Sequence, residues 1–77
     1  MEGHHACLQF PDKTFGILRH LSLELAADIY QRYQNQDCAR RERIAHCWVL
    51  RANDFQLVLG NIPAEWSPDS PMRENRS

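Results

Sequence analysis

Residues 43–61, RIAHCWVLRANDFQLVLGN, decide the fold, because they hold two apolar runs separated by a short polar break. Asn53 and Asp54 both tolerate positive φ, so the break is suited to a two-residue turn between two strands. With that turn, the residues that share one side of the hairpin are all apolar: Ala52, Phe55, Leu50, Leu57, Trp48 and Leu59. A slip of one residue would scatter this set, so the pattern predicts one register.

The other side of the predicted hairpin is mixed in character. It pairs Val49 with Val58 and Arg51 with Gln56. A face of this kind is compatible with contact to solvent or to a partner protein.

Upstream of the hairpin, apolar residues from Ile17 onward recur every three or four positions, which predicts an amphipathic helix. The helix starts after one of two caps, Thr14 or Ser22. It ends in the polar segment 34–37, and residues 38–43 either extend a helix or form a polar connection. The apolar stripe consists of Leu18, Leu21, Leu25 and Ile29, widened by Ala26, Tyr30 and Tyr33.

The first strand is predicted over residues 4–10, where Ala6, Leu8 and Phe10 alternate with other residues. It ends at a turn over residues 11–13, which contain proline and aspartate. The predicted order is therefore β-α-β-β, a small two-layer α+β domain that corresponds to half of a ferredoxin-like fold. One amphipathic helix packs its leucines and isoleucine on the apolar face of a short antiparallel sheet.

Chain length and composition limit the organisation and the location. Of the 77 residues, 1–66 form a single domain, and 67–77, with two prolines and several charges, form a flexible C-terminal tail. The formal charge of −1 gives no general attraction to nucleic acid or membrane. No apolar run reaches the roughly 18 residues of a transmembrane helix, and the first residues lack the pattern of a secretory signal. We therefore expect a cytoplasmic protein without membrane contact.

Three cysteines, none of them in a C-x-x-C pair, predict free thiols and no disulfide framework. A metal-binding alternative stays open, because imidazole and thiolate groups together suit Zn²⁺ or Cu(I). Adjacent strand residues point to opposite faces, which disfavours one ion shared by neighbours. We predict no metal site and no cofactor. The residues of the metal alternative are His4, His5, Cys7, His46 and Cys47.

The segment HCWVLRANDFQLVL, residues 46–59, resembles the hairpin of the REP-associated tyrosine transposases and related single-strand transposases. In that family an aromatic-Val-Leu strand is followed, after two residues, by Asn-His-hydrophobic-His-Leu. The resemblance covers about 16 residues closely and about 40 loosely. It implies a ferredoxin-like fold with an amphipathic helix before the hairpin.

The residues that carry the family's chemistry differ in this chain. Two histidines two residues apart on one strand would hold a divalent metal on the scissile phosphate, and their positions are occupied by Asp54 and Gln56. The nucleophilic tyrosine would follow the hairpin, whereas Tyr30 and Tyr33 precede it. The resemblance therefore implies the fold without the activity, and we predict that the chain is not an enzyme.

The sequence is compatible with three functions. The first is a small interaction or regulatory module that binds a protein partner through Trp66, Arg51 and Gln56, with Trp66 either an exposed anchor or a lid on the core. A homodimer through a free sheet edge belongs to this hypothesis. The second is nucleic-acid binding by an inactive transposase-like fold, and the third is the metal alternative. The arginines of the second hypothesis are Arg40, Arg41, Arg43 and Arg51.

Overall fold

The computed structural model describes residues 3–74 of the chain. Its strands form one sheet in the order β4-β3-β1-β2-β5, antiparallel except for the β2–β5 pair. The predicted α+β class and the antiparallel sheet are confirmed, and the predicted order is extended by β2, α2 and β5. The elements are β1 (His4–Gln9), β2 (Phe15–Leu21), α1 (Leu23–Gln34), α2 (Gln36–Glu42), β3 (His46–Arg51), β4 (Leu57–Leu59) and β5 (Arg73–Glu74).

The predicted first strand and its turn are confirmed, but the turn leads back into a second strand. The backbone N–H of Phe10 donates to the carbonyl of Thr14 at 2.8 Å, which closes the β1–β2 hairpin. Residues 15–21, which the helical spacing placed partly in a helix, are β2. Phe15 and Ile17 are buried two positions apart and pair with β1, so pairing in the sheet overrides the helical spacing.

Helix α1 begins at the second of the two predicted caps. The hydroxyl of Ser22 accepts a hydrogen bond from the N–H of Leu25 at 3.1 Å. At the other end, the side-chain carbonyl of Asn35 accepts from the N–H groups of Asp37 and Cys38, and so caps a separate short helix, α2. The open segment 38–43 is therefore mainly helical, and Arg43, with φ 58°, ends it in the left-handed conformation.

One face of the sheet is covered by the C-terminal segment. The register places Ile17, Cys7 and Trp48 side by side on this face. Trp66 packs against them, with its ring centroid 5.7 Å from that of Trp48. The prediction that the helix covers the Trp48 face is wrong, because the chain beyond β4 returns to occupy it.

Helix α1 lies on the opposite face. The buried strand residues of that face are Ala6, Leu8, Cys47 and Val49, and α1 contributes the fully buried Ala26. Strands β1 and β3 lie inside the sheet and are covered on both faces, so the apolar pattern of β3 did not show which face the helix would take. Leu25, a predicted core residue, is consequently 48% exposed.

The β3–β4 hairpin has a longer loop than predicted. The N–H of Phe55 donates to the carbonyl of Arg51 at 2.8 Å, which closes a four-residue loop over residues 52–55. The predicted pair Leu50–Leu57 is confirmed, but Leu59 lies opposite Val49 because β4 carries a bulge. The two-residue turn is wrong, since the ring of Phe55 packs on the core and holds the loop open.

Part of the predicted tail lies against the sheet. The indole N–H of Trp66 donates to the sulfur of Met72 at 3.4 Å, and Arg73 pairs with Gly16 in β5. Residues 75–77 of the predicted tail lie outside the described residues. Neither α1 nor α2, the helices of the described region, is long and apolar enough to cross a membrane.

Candidate partner-binding surfaces

Trp66, the first of the predicted partner-binding residues, is part of the core. Only 7% of its surface is exposed, and its ring meets Trp48 edge-on. Of the two predicted roles, the structure shows the lid. An exposed anchor at this position is therefore wrong, because the indole already fills the space over the Trp48 face.

The other two predicted partner residues fasten the β3–β4 loop. The guanidinium of Arg51 donates to both carboxylate oxygens of Asp54, at 3.1 and 2.6 Å, and to the side-chain carbonyl of Gln56 at 2.7 Å. The N–H of Gln56 also donates to Asp54 at 3.1 Å. The hydrogen bond from Arg51 lowers the pKa of the Asp54 carboxyl. These exposed groups form a local network that shapes the loop.

This network also bears on Asp54 and Gln56, the positions where the transposase hairpin has its histidines. Both oxygens of Asp54 accept hydrogen bonds from Arg51, and Gln56 directs its side-chain carbonyl at the same guanidinium. An arginine between the two side chains occupies the place that a cation would need. The pair thus has a structural role in the loop.

Strand β4 forms an apolar edge of the sheet. Among residues 3–74, β4 pairs only with β3, so its other edge faces outward. Leu57 and Val58 are 40% and 39% exposed, and Ile62, just after the strand, is 39% exposed. No charged residue occurs from position 57 to position 63. We call Leu57, Val58 and Ile62 the β4 surface.

The segment that follows β4 is held by two contacts. The Nε2 atom of His46 lies 2.7 Å from the carbonyl oxygen of Asn61, within hydrogen-bonding distance. Gly60, with φ 84°, brings the backbone against Trp48 and the ring of Tyr30. These contacts fix the position of the β4 surface relative to the sheet.

The predicted arginine cluster is divided between the two ends of β3. Arg40, Arg41 and Arg43 lie at the end of α2, before the strand, whereas Arg51 is the last residue of the strand. Six strand residues span about 20 Å, so Arg51 does not extend the α2 cluster. Arg43 instead lines a groove with Arg73. Nucleic-acid binding by the α2 arginines stays a prediction.

The residues of the metal alternative are spread over the sheet. Strands β1 and β3 are antiparallel, so His4 and His5 lie opposite Arg51 and Leu50, while His46 lies at the far end, opposite Gln9. Within residues 3–74 there is no group of three or more His, Cys, Asp or Glu side chains that could hold a metal ion. The structure therefore does not bring the predicted ligands together.

Burial makes two of the three thiols weak acids. It raises the pKa of Cys7 to about 12, with a smaller contribution from Cys47, and it raises the pKa of Cys47 to about 12. Both thiols are free and stay protonated at neutral pH. They pack as small apolar groups on opposite faces of the sheet, which confirms the prediction of free thiols.

His5 is a buried histidine in β1, at the point where the β1–β2 register shifts, and it lies close to the β3–β4 loop. Its ring lies 5.6 Å from the rings of His20 and Phe55, and its Nδ1 accepts a long hydrogen bond, 3.5 Å, from the N–H of His20. Burial first, and then the positive charges of Arg19, His20 and His4, lower the pKa of His5. The folded protein therefore favours the neutral imidazole.

Because the folded protein favours the neutral form of His5, we expect the protein to lose stability in mild acid. In the unfolded chain His5 binds a proton as the pH falls through about 6.5, whereas in the folded chain it stays neutral to lower pH. The free energy of unfolding should therefore fall below pH 6.5, by at most about 1.4 kcal/mol per pH unit from this group, until the folded pKa is reached. Urea unfolding at pH 7.5, 6.5 and 5.5 measures the slope. His5→Gln should flatten it, and the control His46→Gln, at the opposite end of β3 from His5, should not; equal slopes in all three proteins would refute the assignment.

Sequence reasoning missed two features of these surfaces. The absence of charge from position 57 to position 63 was the available signal for an apolar edge at β4. No comparable signal marked Arg73, because it lies in a polar, proline-containing segment. Its place beside Arg43 depends on the pairing of β5 with β2.

No protein-family model matches this chain, and no match was found among curated proteins or solved structures.

Proposed function

We propose that this protein is a small non-enzymatic interaction module that binds a protein partner through the β4 surface. The observation that carries the proposal is the outward-facing edge of β4, where Leu57 and Val58 are exposed on an uncharged strand. The occupant we propose is an extended segment of the partner, which adds a strand beside β4.

Three surfaces of this protein could bind a partner. Trp66 is buried in the core, and the polar group of Arg51 and Gln56 is engaged in the β3–β4 loop. The sheet edge at β4 remains, because among residues 3–74 this strand pairs only with β3 and apolar side chains lie along it. These features support binding at the edge better than binding at the loop.

The chemistry of the edge supports a protein partner. Edge strands are commonly protected by charged residues or proline, which β4 lacks over residues 57–59, or by short length and bulges, which β4 has. Its length of three residues and its bulge limit the pairing to a short segment. Apolar side chains flanking such a segment would add the contacts that make short pairing stable.

The state of the reactive side chains supports a non-enzymatic role. The buried thiols of Cys7 and Cys47 are protonated, and the imidazole of His5 is enclosed. Asp54 is engaged by Arg51. In the part of the chain that the structure covers, these groups do not converge on a cavity with a nucleophile and a base.

Charge placed on the β4 surface should abolish partner binding without unfolding the protein. The double variant Leu57→Lys/Val58→Lys puts two exposed ammonium groups on the edge. We expect a change of about 0.5 kcal/mol or less in the free energy of unfolding and partner binding weakened by about tenfold or more. The measurement is quantitative capture of partners from the cell that makes the protein, with each variant immobilised at equal amounts.

Gln31→Lys is the matched control, because Gln31 is an exposed α1 residue and the change adds the same type of charge. It should retain the partner that the double variant loses. Light scattering of the pure protein first establishes whether a second copy is the partner, in which case the double variant becomes monomeric. A partner retained equally by both variants would refute binding at β4.

A further inference from the structure

A groove at the other edge of the sheet has a composition suited to an anion. It lies between the β1–β2 turn and the end of α2, has a volume of about 300 Å³, and is lined by Phe10, Pro11, Asp12, Arg43 and Arg73. Two of its five lining residues are arginines, in a chain whose formal charge is −1. Arginines from two separate parts of the chain therefore line the same space.

Arg73 is held in position before any ligand arrives. Its backbone pairs with Gly16, and its guanidinium carbon lies 5.2 Å from the centre of the Phe10 ring. One of its Nη2 hydrogens is donated to the hydroxyl of Thr14 at 2.9 Å. An arginine has five N–H donors, so most of its donors remain available to a ligand.

Arg43 approaches the groove from a fixed backbone. It ends α2 with φ 58°, and its N–H donates to the carbonyl of Arg40 at 3.3 Å. The next two residues are also fixed: Ile44 donates to Ala39 at 2.8 Å and Ala45 to Gln9 at 2.7 Å. The side chain therefore extends from a fixed connection between α2 and β3, which Ala45 joins to β1.

The charges of the groove leave a net positive site. Asp12 is its one acidic lining residue, and one oxygen of that carboxylate accepts from the N–H and the hydroxyl of Thr14, at 3.0 and 2.5 Å. Between residues 3 and 74, neither Arg43 nor Arg73 forms an ion pair with a carboxylate. Two guanidinium groups thus face one carboxylate that already has other hydrogen-bond partners.

A larger cavity adjoins the groove and shares Arg73 with it. Its volume is about 520 Å³, within the usual range for sites that bind small molecules. Apolar walls come from Phe15, Pro71 and Met72, and its two other charged lining residues, Lys13 and Glu65, have opposite signs. A ligand with its anionic group at Arg73 would have room for an apolar body in this cavity.

We propose that Arg43 and Arg73 bind the phosphate of a small phosphate monoester, and that the apolar part of the ester lies against Phe15 and Met72. A phosphate monoester presents three oxygens, which two guanidinium groups lining one groove can hold through forked hydrogen bonds. A carboxylate, which has two oxygens, would form a forked pair with only one of the two guanidinium groups. This site lies at the opposite edge of the sheet from the β4 surface and is independent of the proposed partner binding.

Titration of the full chain with phenyl phosphate and with inorganic phosphate tests the proposal. The readout is the amide NMR spectrum at constant ionic strength, maintained with chloride. We expect saturable shifts at Thr14 and Arg73 with both probes, and additional shifts at Phe15 and Met72 with phenyl phosphate, which should bind about tenfold more tightly. Arg43→Gln and Arg73→Gln should each weaken binding of phenyl phosphate by about tenfold or more.

Arg41→Gln is the matched control, because Arg41 is exposed on α2 and does not line the groove. It should bind both probes as the unchanged protein does, and dispersed spectra show that all variants remain folded. The proposal is overturned if neither probe gives saturable shifts, or if Arg41→Gln weakens binding as much as Arg73→Gln. Equal affinity for the two probes would overturn the assignment of the apolar cavity.

Discussion

Replacing Trp66 with alanine should lower the free energy of unfolding by about 3–5 kcal/mol, the usual cost of deleting a buried tryptophan side chain. The indole is 7% exposed, meets Trp48 at a centroid distance of 5.7 Å, and donates to the sulfur of Met72. Its removal opens the Trp48 face of the sheet to water. Native domains have a total stability of about 5–15 kcal/mol, so this substitution should remove a large fraction of the free energy of unfolding.

Urea unfolding monitored by far-UV circular dichroism measures this loss. Glu65→Ala is the control, since Glu65 is the exposed neighbour of Trp66, and it should change the free energy by about 0.5 kcal/mol or less. An effect of Trp66→Ala as small as that of Glu65→Ala would mean that the C-terminal segment does not cover the sheet.

Replacing Gly60 with alanine should lower the free energy of unfolding by roughly 2–4 kcal/mol. Gly60 has φ 84°, which an L-residue adopts only at a cost of about 1–2 kcal/mol. An added Cβ would also lie 3.0 Å from the carbonyl oxygen of Cys47, 3.2 Å from the Cα of Trp48 and 2.9 Å from the Cε1 of Tyr30. The ring of Tyr30 can move, but the β3 backbone cannot move without disturbing the sheet.

Gly3→Ala is the matched control for this substitution. A Cβ on Gly3 would meet its nearest atom, the Cα of His20, at 3.5 Å, an ordinary van der Waals distance. Thermal unfolding should show a marked decrease in Tm for Gly60→Ala and little change for Gly3→Ala. Similar Tm values for the two variants would contradict the close packing of the β4 segment between α1 and β3.

The sequence predicted those elements whose pattern depends on local chemistry. Ser22, one of the two candidate caps, the turn after Phe10 and the strand around Trp48 each follow from short-range rules, and each is present in the structure. The Leu50–Leu57 pair was also predicted correctly, because burial of Leu50 fixes the face of β3 to which that pair belongs.

The parts that were missed depend on contacts between distant segments. Residues 15–21 continue the helical spacing of α1, and only their pairing with β1 makes them a strand. The choice of which face α1 covers depended on the return of Trp66 across the sheet. Alternation within β3 could not distinguish the two faces, since Cys47, Trp48, Val49 and Leu50 are all buried. The loop length likewise depends on the packing of Phe55.

The candidate surfaces were harder to predict than the elements, for the same physical reason. The predicted pairing of Arg51 with Gln56 is present in the structure, but the hairpin pattern does not show that Asp54 also binds the guanidinium of Arg51. For Trp66 the sequence allowed two roles, a lid on the core or an exposed anchor for a partner protein. The grouping of Arg43 with Arg73 requires residues 30 positions apart to meet at one sheet edge, which no spacing in the sequence encodes.

Site-specific photo-crosslinking tests the role of the β4 surface most directly. A photoreactive phenylalanine derivative at position 58, in the cell that makes the protein, should give a discrete covalent adduct, and Leu57→Lys should remove it. The same group at position 31, an exposed residue on α1, should give no such adduct. An adduct of twice the chain's mass would identify the partner as a second copy. No adduct at position 58, or an identical adduct at position 31, would contradict partner binding at β4.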